Sequence, residues 1–264
     1  MNQEAVKDIE VTNAKIFTQR WGPFITKITT PLQTIIFTPL TRGIMFEKIP
    51  AFLTELEQNN NKIWFDEHKT TYQELRLEFE EFVTRILIAC LEFDNELHKL
   101  TPKNCMFRIN RDLRFSHNKI PYKTFFSIAM TADKRNSDAP SYYFELHPDS
   151  HALVAGGLHL PSNAVLYKIR KYLEEDSTKL EKVLRNKDFK NSFRDLQEMK
   201  LKTKPKGFDQ NNPKIELLRY TSFVATTTFN IQNTPETKIE TQIIEYFRVL
   251  SPLVKLTREL AALK

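Results

Sequence analysis

"SYYFELHPDSHALVAGGLHL", residues 141–160, decides how the chain folds. Two β-prone stretches flank His147-Pro148-Asp149-Ser150-His151, and Pro148 and Asp149 supply the chemistry of a tight turn, so the segment predicts an antiparallel hairpin. Working outward, "CMFRI" (105–109), "KTFFSIAMTA" (123–132) and "TSFVATTTFN" (221–230) carry the same β-branched and aromatic character. The central strands are therefore expected at 107–110, 123–131, 141–147, 152–160 and 222–229. Helical periodicity lies on either side. From Tyr72 the apolar residues Leu75, Phe79, Phe82, Val83, Ile86, Leu87, Cys90, Phe93 and Leu97 recur every three or four positions, the stripe of an amphipathic helix with Cys90 in its core. Helices are expected again from Ser162 or Asn163, as cap, to about Leu196. The closing run 236–264 reads as two helical pieces, or one kinked at Pro252. Helices and strands are segregated rather than alternating, so the expected class is α+β: an antiparallel sheet covered by helices, with long amphipathic helices before and after it.

With 264 residues and 41% hydrophobic content, the chain can bury a proper core. Residues 45–264 are read as a single α+β domain and threonine-rich residues 1–44 as an arm or appendage. The run Ile28–Thr41 holds two prolines and a glutamine and is too short for a bilayer span, so no membrane partner is expected. Two cysteines make no disulfide framework, and Met1 is followed by Asn2, Gln3 and Glu4 rather than by a basic and apolar leader. Both point to the cytoplasm. The pattern specifies no oligomeric state.

Charge is unevenly spread. Residues 41–100 hold 7 basic and 12 acidic residues, a net −5, whereas 101–135 hold 8 and 2, a net +6. The centre of the basic block is "FRINRDLRFSHNKIPYKTFF", residues 107–126. Arg108, Arg111 and Arg114 are planar forks suited to carboxylate or phosphate, and one carboxylate, Asp112, does not neutralise them. Internal pairing with Glu145, Asp66 and Glu67 is one way to balance that charge. The other is a ligand: a phosphate- or carboxylate-bearing molecule in a pocket lined by Arg108, Arg111, Arg114, Lys119, Lys123 and Lys206. Tyr122 and Tyr143 would add hydroxyls or stacking faces, and Gly207 would let the loop turn its amides toward the anion. In a catalytic version, Asp112 or Glu145 would be the general base. Two alternatives use the same stretch. Phe107, Phe115, Tyr122, Phe125 and Phe126 interleave with the basic residues as a surface for single-stranded nucleic acid would. A protein-interaction module without ligand is the other.

Several chemistries are excluded. His147, Asp149, His151 and His159 suggest a metal on paper, but His159 lies roughly 26 Å along the strand from His151 at about 3.3 Å per residue. A polar turn is expected there. No G-x-S-x-G elbow, G-x-G-x-x-G loop or Walker loop occurs, so no cofactor is expected.

Four stretches, "NNNKIWFDEHK", "FRINRDLRFSHNKIPYKT", "YYFELHPDSHALVAGGLHLP" and "KPKGFDQNNP", resemble the family called domain of unknown function 2461, from about Phe46 to Leu260. The matching positions are Trp64, Phe65, Phe107, Arg108, Arg111, Asp112, Arg114, Phe115, Ser116, Lys119, Pro121 to Thr124, Gly156, Gly157, Pro161, Pro205, Lys206, Gly207 and Pro213. The resemblance implies one shared domain and carries no assigned activity. Asn118 stands where the family pattern leads one to expect an acid, and Asn211-Asn212 where it tends to Asp-His. Acid-base work by those family positions would be lost here, whereas the basic and aromatic residues of a binding site are kept.

Overall fold

The computed structural model describes residues 44–114, 117–133 and 138–263. The proposed arm, residues 1–44, lies outside them but for its last residue. Four strands, β1 (Phe126–Met130), β2 (Ser141–Leu146), β3 (His151–Leu158) and β4 (Phe223–Asn230), form one antiparallel sheet in the order β1-β2-β3-β4. Among the described residues three helices precede it, α1 (Ile44–Gln58), α2 (Lys62–Glu67) and α3 (Lys69–Cys90), with the single turn α4 (Pro102–Cys105) leading in. Helices α5 (Asn163–Glu175), α6 (Thr178–Arg185), α7 (Lys187–Phe193) and α8 (Ile215–Leu218) separate β3 from β4, and α9 (Glu236–Ala261) closes the domain. This is the expected α+β architecture. No helix of the described residues is long and apolar enough to cross a membrane.

The local signals act as chemistry requires. Asn61 caps α2 by accepting from the amides of Ile63 and Trp64, and Ser162 caps α5 by accepting from Val165. The predicted stripe of α3 is buried from Leu75 to Cys90. Helix α9 runs unbroken through Pro252. The hairpin turn closes with His147 N–H donating to His151 O at 3.0 Å and Ser150 N–H to His147 O at 3.1 Å.

One expected strand differs. Residues 107–110 form no regular strand; only isolated bridges, Met106 to Ile128 and Asn110 to Tyr122, tie this stretch to 121–128. The stretch 106–110 therefore runs beside the β1 edge as an irregular ribbon.

Pairing register splits the sheet into two faces. Ile128, Met130, Tyr142, Phe144, Leu146, Ala152, Val154, Leu158, Phe223 and Ala225 point into the core. There Tyr142 meets Phe247 of α9 with ring centroids 5.5 Å apart, and Phe144 meets Phe82 of α3 at 5.5 Å. Gly156 belongs to that face for want of space: a Cβ would sit 3.0 Å from Leu250 Cδ1 and 3.2 Å from Val254 Cγ2. The opposite face carries a different set of residues, and the candidate site is built on it.

Candidate functional site

In β2 the odd positions continue where the even ones leave off: Tyr143 and Glu145, then His147 just past the strand, project from the face that α9 does not cover. Register places Ser127 and Leu153 beside Glu145, and Ala129 and Ala155 beside Tyr143. Tyr143, Glu145, Ala129, Leu153 and Ala155, with Phe107, Gln197, Val224, Thr226 and His159, line a cavity of about 440 Å³. Phe107 lines it too, its ring 6.2 Å from that of Tyr143 and inclined to it at 65°.

A chain of hydrogen bonds runs along this face. The Tyr143 hydroxyl donates to Glu145 Oε1, and Glu145 Oε2 lies 3.0 Å from His147 Nε2. His147 in turn packs against Phe125 at 5.7 Å. Burial by itself would raise the Glu145 carboxyl, but the bonds from His147 and Tyr143 and the charges of His147 and Lys123 outweigh it and hold it below its ordinary range. The Glu145 bond raises His147 against the opposing effect of burial. Burial, then the neighbouring carboxylate, pushes the Tyr143 phenol up, so it is a neutral donor at physiological pH.

Linkage gives this pair a pH window. The raised His147 contributes stability that is full below its unfolded value, about 6.5, and is lost as pH rises through its folded value; the lowered Glu145 contributes above about 4.3 and loses its share in acid. Glu145→Gln removes the charge that raises His147. The His147 midpoint, followed by NMR, should therefore move to lower pH in that variant, and an unmoved midpoint would mean that Glu145 does not govern it.

The basic stretch forms a second, adjoining wall. Phe107 N–H donates to Ser127 O, Lys123 N–H to Ile109 O and Arg111 N–H to Pro121 O, which fold 107–111 back along 121–127. Asp112 holds the loop between them: it accepts from the amide of Arg114 at 3.2 Å and from its guanidinium Nη2 at 2.6 Å. That side-chain bond, first, keeps the Asp112 carboxyl below its usual range. Lys119 Nζ donates to Leu113 O and Arg111 Nη1 to Ile120 O. Arg111, Asp112, Tyr122 and Lys123 line a cavity of about 470 Å³ together with Glu57, Asn60, Asn118 and Phe125. Asn60 secures that wall by bonding both the N–H and the C=O of Tyr122. The Tyr122 ring stacks on Phe65 at 4.0 Å and is buried.

Lys123 lines the second cavity and lies against Phe107 of the first. Its ammonium lies 4.9 Å from the centre of the Phe107 ring and 5.8 Å from that of Phe125. Burial first and the charge of Arg108 second lower its pKa, with Glu145 opposing. Arg108 itself is exposed.

The residues read from sequence thus fall into four groups. Tyr143 and Glu145 share the sheet-face cavity, Arg111, Asp112, Tyr122 and Lys123 share the second, and Lys123 lies against Phe107 of the first. Arg114 and Lys119 are engaged within the exposed loop. Lys206 and Gly207 line neither cavity; Gly207 has φ +87° and borders Tyr167 of α5. Internal pairing takes other partners than expected: Asp66 bonds Lys62, and Glu145 bonds Tyr143 and His147. His151 pairs with Asp149 at 2.9 Å within the polar turn. Asn118 and Asn212 cap turns by accepting from the amides of Ile120 and Lys214. Sequence reading weighed His147 only as a metal candidate and Phe107 and Phe125 only as part of a nucleic-acid surface, and placed none of them beside Glu145 and Lys123. The i, i+2, i+4 alternation from Tyr143 was the signal for His147.

A family model for a conserved hypothetical protein, DUF2461, matches residues 48–256. No curated protein and no solved structure matches the chain.

Proposed function

We propose that this chain, which belongs to the DUF2461 family of conserved hypothetical proteins, binds a small ligand bearing a phosphate or carboxylate. In this reading Lys123, Arg108 and Arg111 hold the acid group where Lys123 lies against Phe107, and the body of the ligand lies over Tyr143 beside Phe107. The observation that carries it is Lys123: a partly buried ammonium beside a second cation, Arg108, with its opposing charge supplied by a Glu145 already bonded to Tyr143 and His147. An anion arriving there relieves both burdens at once. Cys90 and Cys105 are buried and unbridged, which suits the cytoplasm.

Inorganic phosphate should raise the melting temperature of the full chain, since a ligand for the folded state stabilises it by mass action. Arg108→Ala and Lys123→Ala should each weaken binding about tenfold, from roughly 1.5 kcal/mol for a hydrogen bond to a charged group. Arg114→Ala should change it little, because Arg114 is committed to Asp112. Equal affinity in all variants would overturn the reading. Stabilisation only by oligonucleotides, fading steeply with salt, would move the function to nucleic acid.

A further inference from the structure

We propose that the sheet-face cavity seats the flat ring of a nucleoside monophosphate, with its phosphate held by Lys123 and its sugar hydroxyls by Glu145. This rests on the anion-binding reading and names the class of ligand. The cavity is a trough laid across the sheet. Its sides are pieces of chain bound to the two edge strands: Phe107 N–H donates to Ser127 O of β1, and Gln197 N–H donates to Val224 O of β4. Register sets Ala129, Tyr143, Ala155 and Thr226 in one row across the four strands, with Ser141, Gly157 and Val224 in the next. The neighbours of Tyr143 on both sides are thus alanines, and Gly157 adds no side chain at all, so the Tyr143 ring stands beside a low floor. That floor runs four residues along β2 from Ser141 to Glu145, about 13 Å at about 3.3 Å per residue, and three inter-strand steps, about 14 Å, across. A bare phosphate fills little of it, and 440 Å³ falls in the range of pockets built for whole small molecules.

The chemistry along the trough follows the order of groups in a nucleotide. Lys123 Nζ faces the Phe107 ring at 4.9 Å and the Phe125 ring at 5.8 Å, contacts that favour its charged form and suit it to a phosphate. The Phe125 ring also packs on His147, which bonds Glu145, so this cation stands at the Glu145 end of the floor. Glu145 comes next. It accepts from the Tyr143 hydroxyl and lies 3.0 Å from His147 Nε2, and a carboxylate, with about four lone-pair sites, keeps room for further donors. Ribose offers hydroxyls of the kind that a carboxylate accepts from in nucleotide sites. Beyond Glu145 the floor turns apolar, from Leu153 through Ala155 to Gly157, and the Phe107 and Tyr143 rings give it aromatic walls. A flat ring packs on such a surface by its faces. A base also carries donors and acceptors around its edge, and the Gln197 carboxamide, the Thr226 hydroxyl and the His159 imidazole line the same cavity to meet them. A sugar phosphate alone would leave the apolar floor bare, and an aliphatic acid would leave those three polar groups unmatched.

The test is isothermal titration calorimetry of the full chain with AMP, UMP, adenosine, ribose 5-phosphate and inorganic phosphate. The better of AMP and UMP should bind at least about tenfold more tightly than ribose 5-phosphate, the effect of stacking one base. Ala155→Leu fills the floor with a side chain on the face turned away from the core. It should abolish that tenfold difference and leave the affinity for inorganic phosphate unchanged, with thermal melting to check that the variant is folded. The ligand series on the parent protein decides the matter even if that variant fails to fold. Equal affinity for ribose 5-phosphate and both nucleotides overturns the ring seat and leaves the anion reading standing on phosphate. A nucleotide preference that survives in folded Ala155→Leu removes the ring from this cavity and overturns the assignment. Adenosine binding as tightly as AMP, with Lys123→Ala without effect on either, overturns the anion reading and the nucleotide with it. No heat from any of the five ligands overturns both.

Discussion

Replacing Gly157 by alanine should destabilise the protein by about 3–5 kcal/mol, as expected where a strained backbone and a steric clash coincide. Gly157 sits in β3 opposite Val224 with φ +123°, a conformation that side chains rarely adopt. An added Cβ would lie 2.0 Å from the carbonyl oxygen of Phe223, which is backbone and cannot swing aside. Relief requires β3 and β4 to part, and with them the floor of the sheet-face cavity. The loss should appear as a lower denaturant midpoint with an unchanged slope. Gly207→Ala is the control: the nearest atom is Tyr167 Cε2 at 3.8 Å, so only the positive φ costs, about 1–2 kcal/mol. If Gly157→Ala cost no more than Gly207→Ala, the close approach of the two strands would be refuted.

Arg258→Ala should cost a similar amount, about 3–5 kcal/mol, because it strands a buried carboxylate. Asp94 is 1% exposed. Arg258 Nη1 and Nη2 donate to its two oxygens at 3.1 and 3.0 Å, and the Tyr142 hydroxyl donates to Oδ2 at 2.9 Å. Burial pushes the Asp94 carboxyl up, but the bonds and charge of Arg258, with the bonds from Tyr142 and the Glu96 amide, outweigh it and leave the group below its ordinary range. Its folded value is depressed, so its contribution is present above the unfolded value of about 3.9 and is lost as pH falls through the folded one. Without Arg258 the burial effect is left less opposed. Stability measured against pH should then begin to fall at a higher pH in the variant than in the parent. A variant within about 1 kcal/mol of the parent and with the same acid limb would show that the pair contributes nothing net.

Much of the fold was legible because its signals are local. The stripe Leu75 to Cys90 has one period, and the turn His147 to His151 carries its own chemistry. The stretch 107–110 read as a strand because Phe107 and Ile109 alternate with polar residues. Alternation reports which way side chains point, and it does not report whether a partner offers continuous hydrogen bonds; here it offers two isolated bridges. The lining of the two cavities was legible in several of its members and illegible in its grouping. Tyr143, Glu145 and Lys123 were named from residue type alone. That the odd residues of β2 line a cavity depends on α3 and α9 both packing on its other face, which no short window encodes. Lys206 and Gly207 are basic and permissive like the rest, and only the path of the chain after α7 separates them from the cavities.

β2 has a consequence for how this protein can change. Its even residues, Tyr142, Phe144 and Leu146, are committed to packing, while its odd residues, Tyr143 and Glu145, touch whatever enters the cavity. Within six residues the chain keeps two ledgers, one for staying folded and, on the binding role proposed above, one for choosing a guest. Point substitutions at odd positions can retune the guest with the packing untouched, whereas a single inserted residue would exchange the two sets and ruin both. On that proposal, selectivity is open to revision one side chain at a time, and closed to revision by length.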